Sequence, residues 1–492
     1  MKTKITIYLA LFIILNSSFL ILSSYSQWEP DVRLSNDPGF SQTSFDNARC
    51  IAASGSVVHV VWYENRNGND EIYYKRSTNS GVNWGADTRL TNNSFTSYNP
   101  SISVSGSVLH VLWYDNRDGN NEIYYKRSLD GGSTWGSDTR LTSDSNAVSK
   151  YDPSVAVSGA VVHVVWHDNR SSNNEIYYKR SADGGASWSP DSALTHNTAN
   201  SNNSHVEAYG STVHVVWTDS RDGNEEIYYN RSDNAGISWG LDTRLTNNTL
   251  GSNNPSISVS GMFVNVVWQD NRDGNWEIYH KHSFDAGTNW GTDTRLTNNT
   301  SASYSPSVLV YAAPPALAVH VVWYDNRDGN DEIYYKQSID GGNTWSTDTR
   351  LTNNNSNSSD PSVAVSGSIV HVVWCDYRDG NWEIYYKRDP TGNPTGIVNV
   401  KSEIPTSYSL KQNYPNPFNP NTVIRFSLPS VSQISLKVYD VMGREVQSLV
   451  NEKLQAGTYE TTFDGSGLNS GVYFYKLMTD GFTETRRMLL VK

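Results

Sequence analysis

Val108 to Thr142 reads VLHVLWYDNRDGNNEIYYKRSLDGGSTWGSDTRLT. A Val-rich run ends on Trp113 and Asp115, an Asp-Gly pair follows, and EIYYKR leads into a glycine-rich loop that ends on Trp135. Nearly every feature of this stretch returns six more times. The equivalents of Trp113 are Trp62, Trp166, Trp217, Trp268, Trp323 and Trp374, about fifty residues apart. A fixed period of that size marks a propeller, a solenoid or a tandem array.

Working outward from the quoted stretch, one unit reads as four strands. Pro100–Ser105 (PSISVS) alternates and stops at Gly106; Val108–Asp115, Glu122–Arg127 and Thr134–Thr142 follow. All four carry β-branched and aromatic residues between turn residues, and no segment of the array keeps a helical period. Asp118-Gly119 is the two-residue hairpin signal, because both central positions need φ > 0. Asp222-Gly223, Asp273-Gly274, Asp328-Gly329 and Asp379-Gly380 repeat it, Asn67-Gly68 is equivalent, and the third unit departs with Ser171-Ser172. Arg117 and Glu122 flank this hairpin and recur in every unit, which predicts an Arg–Glu bridge across its two strands.

Between the third and fourth strands lies Ser128-Leu129-Asp130-Gly131-Gly132-Ser133-Thr134-Trp135. This run resembles the Asp box of the bacterial neuraminidase repeat, Ser-x-Asp-x-Gly-x-x-Trp. The copies from Ser181, Ser283 and Ser338 match in full, whereas Asn79 and Asn234 stand for the Asp in two others. Locally, a short polar side chain satisfies turn N–H groups, glycine takes the unusual backbone angle and Trp packs back on the sheet. The resemblance implies a fold, not an activity.

The fourth-strand signature Trp-x-x-Asp-x-Arg-Leu also occurs at Trp28, Asp31, Arg33 and Leu34, while the seventh unit breaks at Asp389-Pro390 before any fourth strand. One spare strand at the start and one missing at the end predict a ring. The fold expected is all-β: a seven-bladed β-propeller over 27–388, closed by the N-terminal strand, with no long exposed edge. An open solenoid would leave the spare strand unexplained. Strand order puts the Ser-Gly-Ser turns and the box loops on one face. The Asp-Gly hairpins and Asn-rich connections such as Thr91–Asn99 lie on the other, where variable loops suit binding.

Met1–Ser26 reads as a signal peptide: Lys2 and Lys4, an apolar Ile5–Leu22, then Ser24-Tyr25-Ser26. No later run is long and apolar enough to span a bilayer as a helix, so the expectation is a chain without a transmembrane segment after signal cleavage. The net charge of −12 over 492 residues argues against a nucleic-acid partner. Only Cys50 and Cys375 are present. Closure makes their blades neighbours and an oxidising compartment permits a bond if the Cα atoms lie within about 7 Å, so the pairing stays open.

Residues 389–410 shift to Pro, Gly, Thr and Ser and read as a linker. Then come Tyr414-Pro415-Asn416-Pro417-Phe418-Asn419-Pro420, short strands, Gly443-Arg444, Gly457-Thr458-Tyr459, Ser470-Gly471-Val472-Tyr473-Phe474-Tyr475 and a final Arg487–Lys492. Over 411–492 this resembles the type A sorting domain of the type IX secretion system. The resemblance implies a small Ig-like β-sandwich, the type IX machinery as a partner, and a protein secreted or held at the outer cell surface by way of the periplasm.

Departures from the repeat carry the functional signal. Arg49 stands where five other units have Pro100, Pro153, Pro255, Pro306 and Pro361, and His205 and Glu207 replace Ser in the fourth unit. Arg49 resembles the arginine that opens a sialidase propeller, though Arg49-Cys50-Ile51 lacks that family's Arg-Ile-Pro core. Trp276 and Trp382 occupy hairpin positions that are elsewhere Asn or acidic, and with Tyr98, Tyr151 and Tyr304 they suit the faces of sugar rings. The eight ligand-binding candidates are therefore Arg49, Tyr98, Tyr151, His205, Glu207, Trp276, Tyr304 and Trp382. The function expected is a monomeric, non-catalytic recognition propeller for a glycan or another extracellular ligand, without metal or cofactor. The alternative is a sialidase-like exo-glycoside hydrolase using Arg49, His205 and Glu207.

Overall fold

Second strands such as Val108–Asp115 are buried along nearly their whole length, because both of their faces are covered. In the computed structural model, which describes residues 28–44, 49–143, 149–313, 316–392, 398–401, 405–454, 456–465 and 468–492, the repeat forms seven antiparallel sheets. The expected signal peptide, 1–26, lies outside the described residues. Within a unit the second and third strands pair along their length, Leu109↔Ser128 to Asp115↔Glu122, and a two-residue fourth strand adds Arg140↔Tyr124. The first strand bulges between Tyr98 and Ser101, where Asn99 sits at φ 47°. Pro100 follows it and supplies no ladder donor.

The N-terminal strand Val32–Arg33 pairs with Tyr386 and Tyr385 of the seventh unit, as Thr139–Arg140 pairs with Tyr125 and Tyr124 of the second. Glu29 N donates to Arg388 O at 2.9 Å and Leu34 N to Ile384 O at 2.7 Å, so the spare strand fills the missing place.

A belt of hydrogen bonds joins the first strands of successive units. Ile102 N donates to Arg49 O (2.9 Å), Val155 N to Ser101 Oγ (3.3 Å) and Val206 N to Ser154 Oγ (3.2 Å). Ile257 N donates to His205 Nδ1 (3.2 Å), Val308 N to Ser256 Oγ (3.3 Å) and Val363 N to Ser307 Oγ (3.4 Å). Cys50 N then donates to Ser362 Oγ at 3.2 Å, returning from the seventh unit to the first. The apolar cores lie between units: Trp113 packs with Val61, Ile72 and Tyr74 of the preceding unit, and Trp62 packs with Val373, Ile384 and Tyr386. All seven repeated tryptophans have zero exposure.

The Arg–Glu bridge expected across the hairpin does not form. Arg117 turns instead onto the Tyr124 ring (4.3 Å), holds Asp115 and reaches the fourth-strand Asp138 at 2.8 Å. Glu122, fully buried, takes Arg140 at 2.9 Å. Arg117 thus links Asp115 to Asp138, and Glu122 takes the fourth-strand arginine, which fixes the fourth strand as well as the hairpin.

In the loop before Trp135, Asp130 accepts from Thr134 N (2.8 Å) and Ser133 N (3.0 Å), which with the Ser128 and Thr134 hydroxyls holds its pKa down at about 2. Asn79 and Asn234 keep the same acceptor, receiving Asn83 N and Ser238 N at 2.9 Å. Gly132 has a second reason beyond its φ of 80°: a Cβ there would strike the hydroxyl of Tyr74 from the preceding unit.

Beyond the repeat, two four-stranded sheets share one apolar core that includes Phe426, Leu436, Tyr475 and Leu490. Val398–Lys401, inside the stretch whose composition reads as a linker, pairs with the strand Gly457–Asp464.

Deleting residues 28–36 removes the strand that completes the seventh sheet and strips Arg33 from the buried Glu383. Leaving that charge unpaired costs roughly 3–5 kcal/mol. Calorimetry should show a clearly lower melting temperature for the repeat, and unchanged melting would refute the closure.

Candidate functional site

The turns sort onto two faces as strand order requires. Gly131 N of the box loop donates to Ser107 O of the first turn at 2.8 Å. On the other face hairpin asparagines clamp the inter-unit loops: Asn224 Nδ2 donates to Leu250 O and Asn330 Nδ2 to Ser356 O, both at 2.7 Å. The bulge near the start of the first strand in units two to seven lies on this second face. It carries a polar residue in the left-handed region in six units: Asn99, Asp152, Asn203, Asn254, Ser305 and Asp360, with φ between 47° and 53°. Asn99 Nδ2 donates to Asp152 Oδ1 at 3.3 Å, so these side chains meet between adjacent units.

Beside the polar residues runs an arc of rings over units one to three. Centroids are 6.3 Å apart for Phe40–Tyr63, 5.3 Å for Tyr63–Tyr98, 5.7 Å for Tyr98–Tyr114, 5.6 Å for Tyr114–Tyr151 and 5.7 Å for Tyr151–His167. These are offset and edge-on contacts of the favourable kind. Tyr151 is 38% exposed and Tyr98 and Tyr114 are half-buried, so the arc presents ring surface to solvent. Burial, followed by a hydrogen bond to Asp70, pushes the Tyr98 hydroxyl up to about 12. Asp152 also faces His167, Oδ2 to Nδ1 at 3.4 Å.

Arg49 and Glu207, from units one and four, form an ion pair between units that are not successive in the chain. Neither side chain is fully closed off, at 17% and 14% exposure. Burial raises the Glu207 carboxyl's proton affinity and Arg49 opposes it. Arg49 Nη2 is buried with no hydrogen-bond partner among the described residues. Arg49 also borders a cavity of about 130 Å³ lined by first-strand residues such as Ala52, Ser103, Leu309 and Ala364. His205 sits in the belt, where its Nδ1 accepts Ile257 N; burial, then Arg49, lowers its pKa to about 3 and keeps it neutral.

The remaining candidates have separate neighbours. Tyr304 meets Tyr324 at a tilt with centroids 5.5 Å apart, Trp382 meets Tyr377 edge-on at 5.4 Å, and Trp276 lies over the loop at Gly251. Two clusters therefore form from the eight, Tyr98 with Tyr151 and Arg49 with Glu207. Sequence reasoning missed Tyr63, Tyr114 and His167. Their signal was the variable residue between the repeated Trp and its carboxylate, which is Tyr, Tyr, His, Thr, Gln, Tyr and Cys in turn. The last of these, Cys375, and Cys50 are free, buried thiols. Thr43 N donates to Cys375 Sγ at 3.1 Å and Ser44 N to Cys50 Sγ at 3.2 Å, so each sulfur has its own partner. Burial pushes Cys50 up to about 12 and raises Cys375 too.

Arg49→Ala should cost roughly 3–5 kcal/mol by leaving Glu207 alone, and Arg49→Ala with Glu207→Ala should restore part of it. A carboxyl whose folded pKa lies above its unfolded one stabilises fully below the unfolded value and loses that contribution as pH rises. The single variant should therefore lose stability from the ordinary carboxylate range upward, read by denaturation across pH. The double variant should not.

Residues 412–492 match the family described as Secretion system C-terminal sorting domain. No curated protein matches the chain. Among solved structures, the polysaccharide lyase Uly1 has a TM-score of 0.49 at 11% identity, covering 74% of this chain and 99% of its own. A mutant Trypanosoma rangeli sialidase with trans-sialidase activity has a TM-score of 0.44 at 12% identity, covering 95% and 90%. A Fusarium graminearum α-L-arabinofuranosidase mutant has 0.41 at 13%, covering 59% and 91%. At such scores none of these likenesses bears on activity or ligand. The sorting domain does bear on destination: the protein is exported and is secreted or attached at the outer cell surface.

Proposed function

We propose that the seven sheets form a closed seven-bladed propeller with an Ig-like sorting sandwich behind it, and that the protein is a non-catalytic glycan-recognition module acting outside the cell. The observation that carries the binding reading is the arc through Tyr63, Tyr98, Tyr114 and Tyr151, with Asn99 and Asp152 beside it. Apolar ring faces next to fixed amide and carboxylate groups suit sugar rings with their hydroxyls. The charges support an absence of turnover: Arg49 and Glu207 are paired, and His205 is neutral and committed to the belt, so none of these three stands as a free acid or base. One observation favours a sialidase-like hydrolase as the second reading: a carboxyl of raised proton affinity lies beside an arginine with an unused buried N–H.

On a glycan array and a glycosidase substrate panel, the mature full-length protein should bind and not hydrolyse. Tyr151→Ala should weaken binding about tenfold, or about 1.4 kcal/mol, at unchanged melting temperature. Trp276→Ala and Trp382→Ala, on the same face but off the arc, should weaken it less. Hydrolysis of a sialoside that disappears in Glu207→Gln would promote the hydrolase. Removing 412–492 should leave a folded repeat in the periplasm, checked by fractionation; its appearance outside the cell would count against export through this domain.

A further inference from the structure

In six of the seven units the third strand carries a lysine, and all six do the same thing. Lys75, Lys126, Lys179, Lys281, Lys336 and Lys387 each place the ammonium 2.8–2.9 Å from the fourth-strand aspartate of their own sheet. Each also donates to the carbonyl of the leucine that ends the preceding unit's fourth strand: Leu34, Leu90, Leu141, Leu245, Leu296 and Leu351. The seam between units is thus a repeated receptor for one primary ammonium, filled from within.

The fourth unit departs from this pattern. Asn230 replaces the lysine and is too short to cross the seam; its Nδ2 stops at Asp242 Oδ1 (3.0 Å) and Gly240 O (3.1 Å). Among the described residues no side chain donates to the Leu194 carbonyl. Asn230 itself is 3% exposed, and its Oδ1 is buried without a partner. The space left is an open pocket of about 580 Å³ whose walls include Ala193, Leu194, Asn230, Trp239, Leu241 and Asp242. That volume falls in the range of small-ligand sites. A second cation is missing nearby. Ala193 stands where other fourth strands carry the arginine that pairs with the buried glutamate, so among the described residues Glu175 keeps Asn173 Nδ2 and Asn197 N, each at 3.0 Å. Trp239 and the 93% exposed Leu241 supply apolar surface at the entrance.

We propose that this seam pocket binds a primary alkylammonium group from outside, with its ammonium at the Leu194 carbonyl, Asn230 Oδ1 and Asp242 and its stem against Trp239 and Leu241. The group is offered either by a small free amine or by a lysine side chain of another polypeptide. The six filled seams define the geometry an incoming ammonium would reproduce; an anionic head would face the Asp242 carboxylate, and a hydroxyl would bring no charge to it.

The test is a calorimetric titration of the mature full-length protein with n-butylammonium, 1-butanol and Nα-acetyl-lysine methylamide. Butylammonium should bind saturably and butanol at least tenfold more weakly. Asn230→Lys, which supplies the ammonium internally, should weaken butylammonium binding at least tenfold and raise the melting temperature. Acetyl-lysine methylamide binding tenfold tighter than butylammonium identifies a polypeptide lysine as the source, and equal affinity a free amine. Equal binding of butanol, no binding of either amine, or undiminished binding by a folded Asn230→Lys protein would overturn the proposal. If that variant does not fold, Leu241→Ala decides: a several-fold loss supports the site and unchanged affinity counts against it.

Discussion

A buried carboxylate at the end of each second strand is the constraint the repeat is built around. Asp115 has no exposed surface and accepts from Trp113 Nε1 at 3.3 Å, Ser97 Oγ at 2.8 Å and Arg117 Nε at 2.9 Å. Burial alone would raise its pKa, but the Arg117 and Ser97 hydrogen bonds win and hold it below the usual carboxylate range. A charge so placed must be fully paired or it destabilises the fold. Its partners come from the first strand, the second strand and the hairpin, and Arg117 goes on to the fourth strand through Asp138. One ionised group thereby sets the register of a whole sheet. Glu64 does the same work in the first unit, with Trp62 Nε1 at 2.7 Å.

Between sheets the joints are of two kinds, apolar and polar. Each repeated tryptophan packs across a seam, and each seam adds a belt hydrogen bond; five seams add a tyrosine under a glycine, and all but the one at Asn230 add a lysine. The fifth unit shows how closely one joint is matched. Elsewhere a histidine meets a tyrosine hydroxyl, as His110 meets Tyr125 at 2.7 Å. There Asn265 and His280 replace the pair together and keep the contact at 2.8 Å.

The strands, turns and spare fourth strand were legible because their causes are local. Alternation, Asp-Gly pairs and the Trp28–Leu34 signature lie within a few residues of what they determine. What stayed hidden depends on partners outside the local stretch, 21 residues away for Arg117 and Asp138. The partner of Arg117 is Asp138 rather than Glu122 because the arginine crosses to the fourth strand. The arc was half visible: Tyr98 and Tyr151 stood out as departures, but Tyr63 meets Tyr98, and Tyr114 meets Tyr151, only across unit boundaries. Arg49 and Glu207 were both noticed, and nothing in their separation along the chain announces an ion pair. His205 looked chemical because histidine often is; in the belt it does what serine does in other units.

Completion of the seventh sheet by the N-terminal strand has a consequence for biogenesis. The seventh sheet uses one strand from the first residues of the repeat and three from the last, so it cannot be assembled until Glu383–Asp389 has been synthesised. The sorting domain at 412–492 follows that strand in the chain. A ribosome therefore finishes every strand of the repeat before it makes the export label. Any chain truncated earlier lacks both the closing contacts and the address, and the order of the polypeptide itself acts as a quality filter on what leaves the cell.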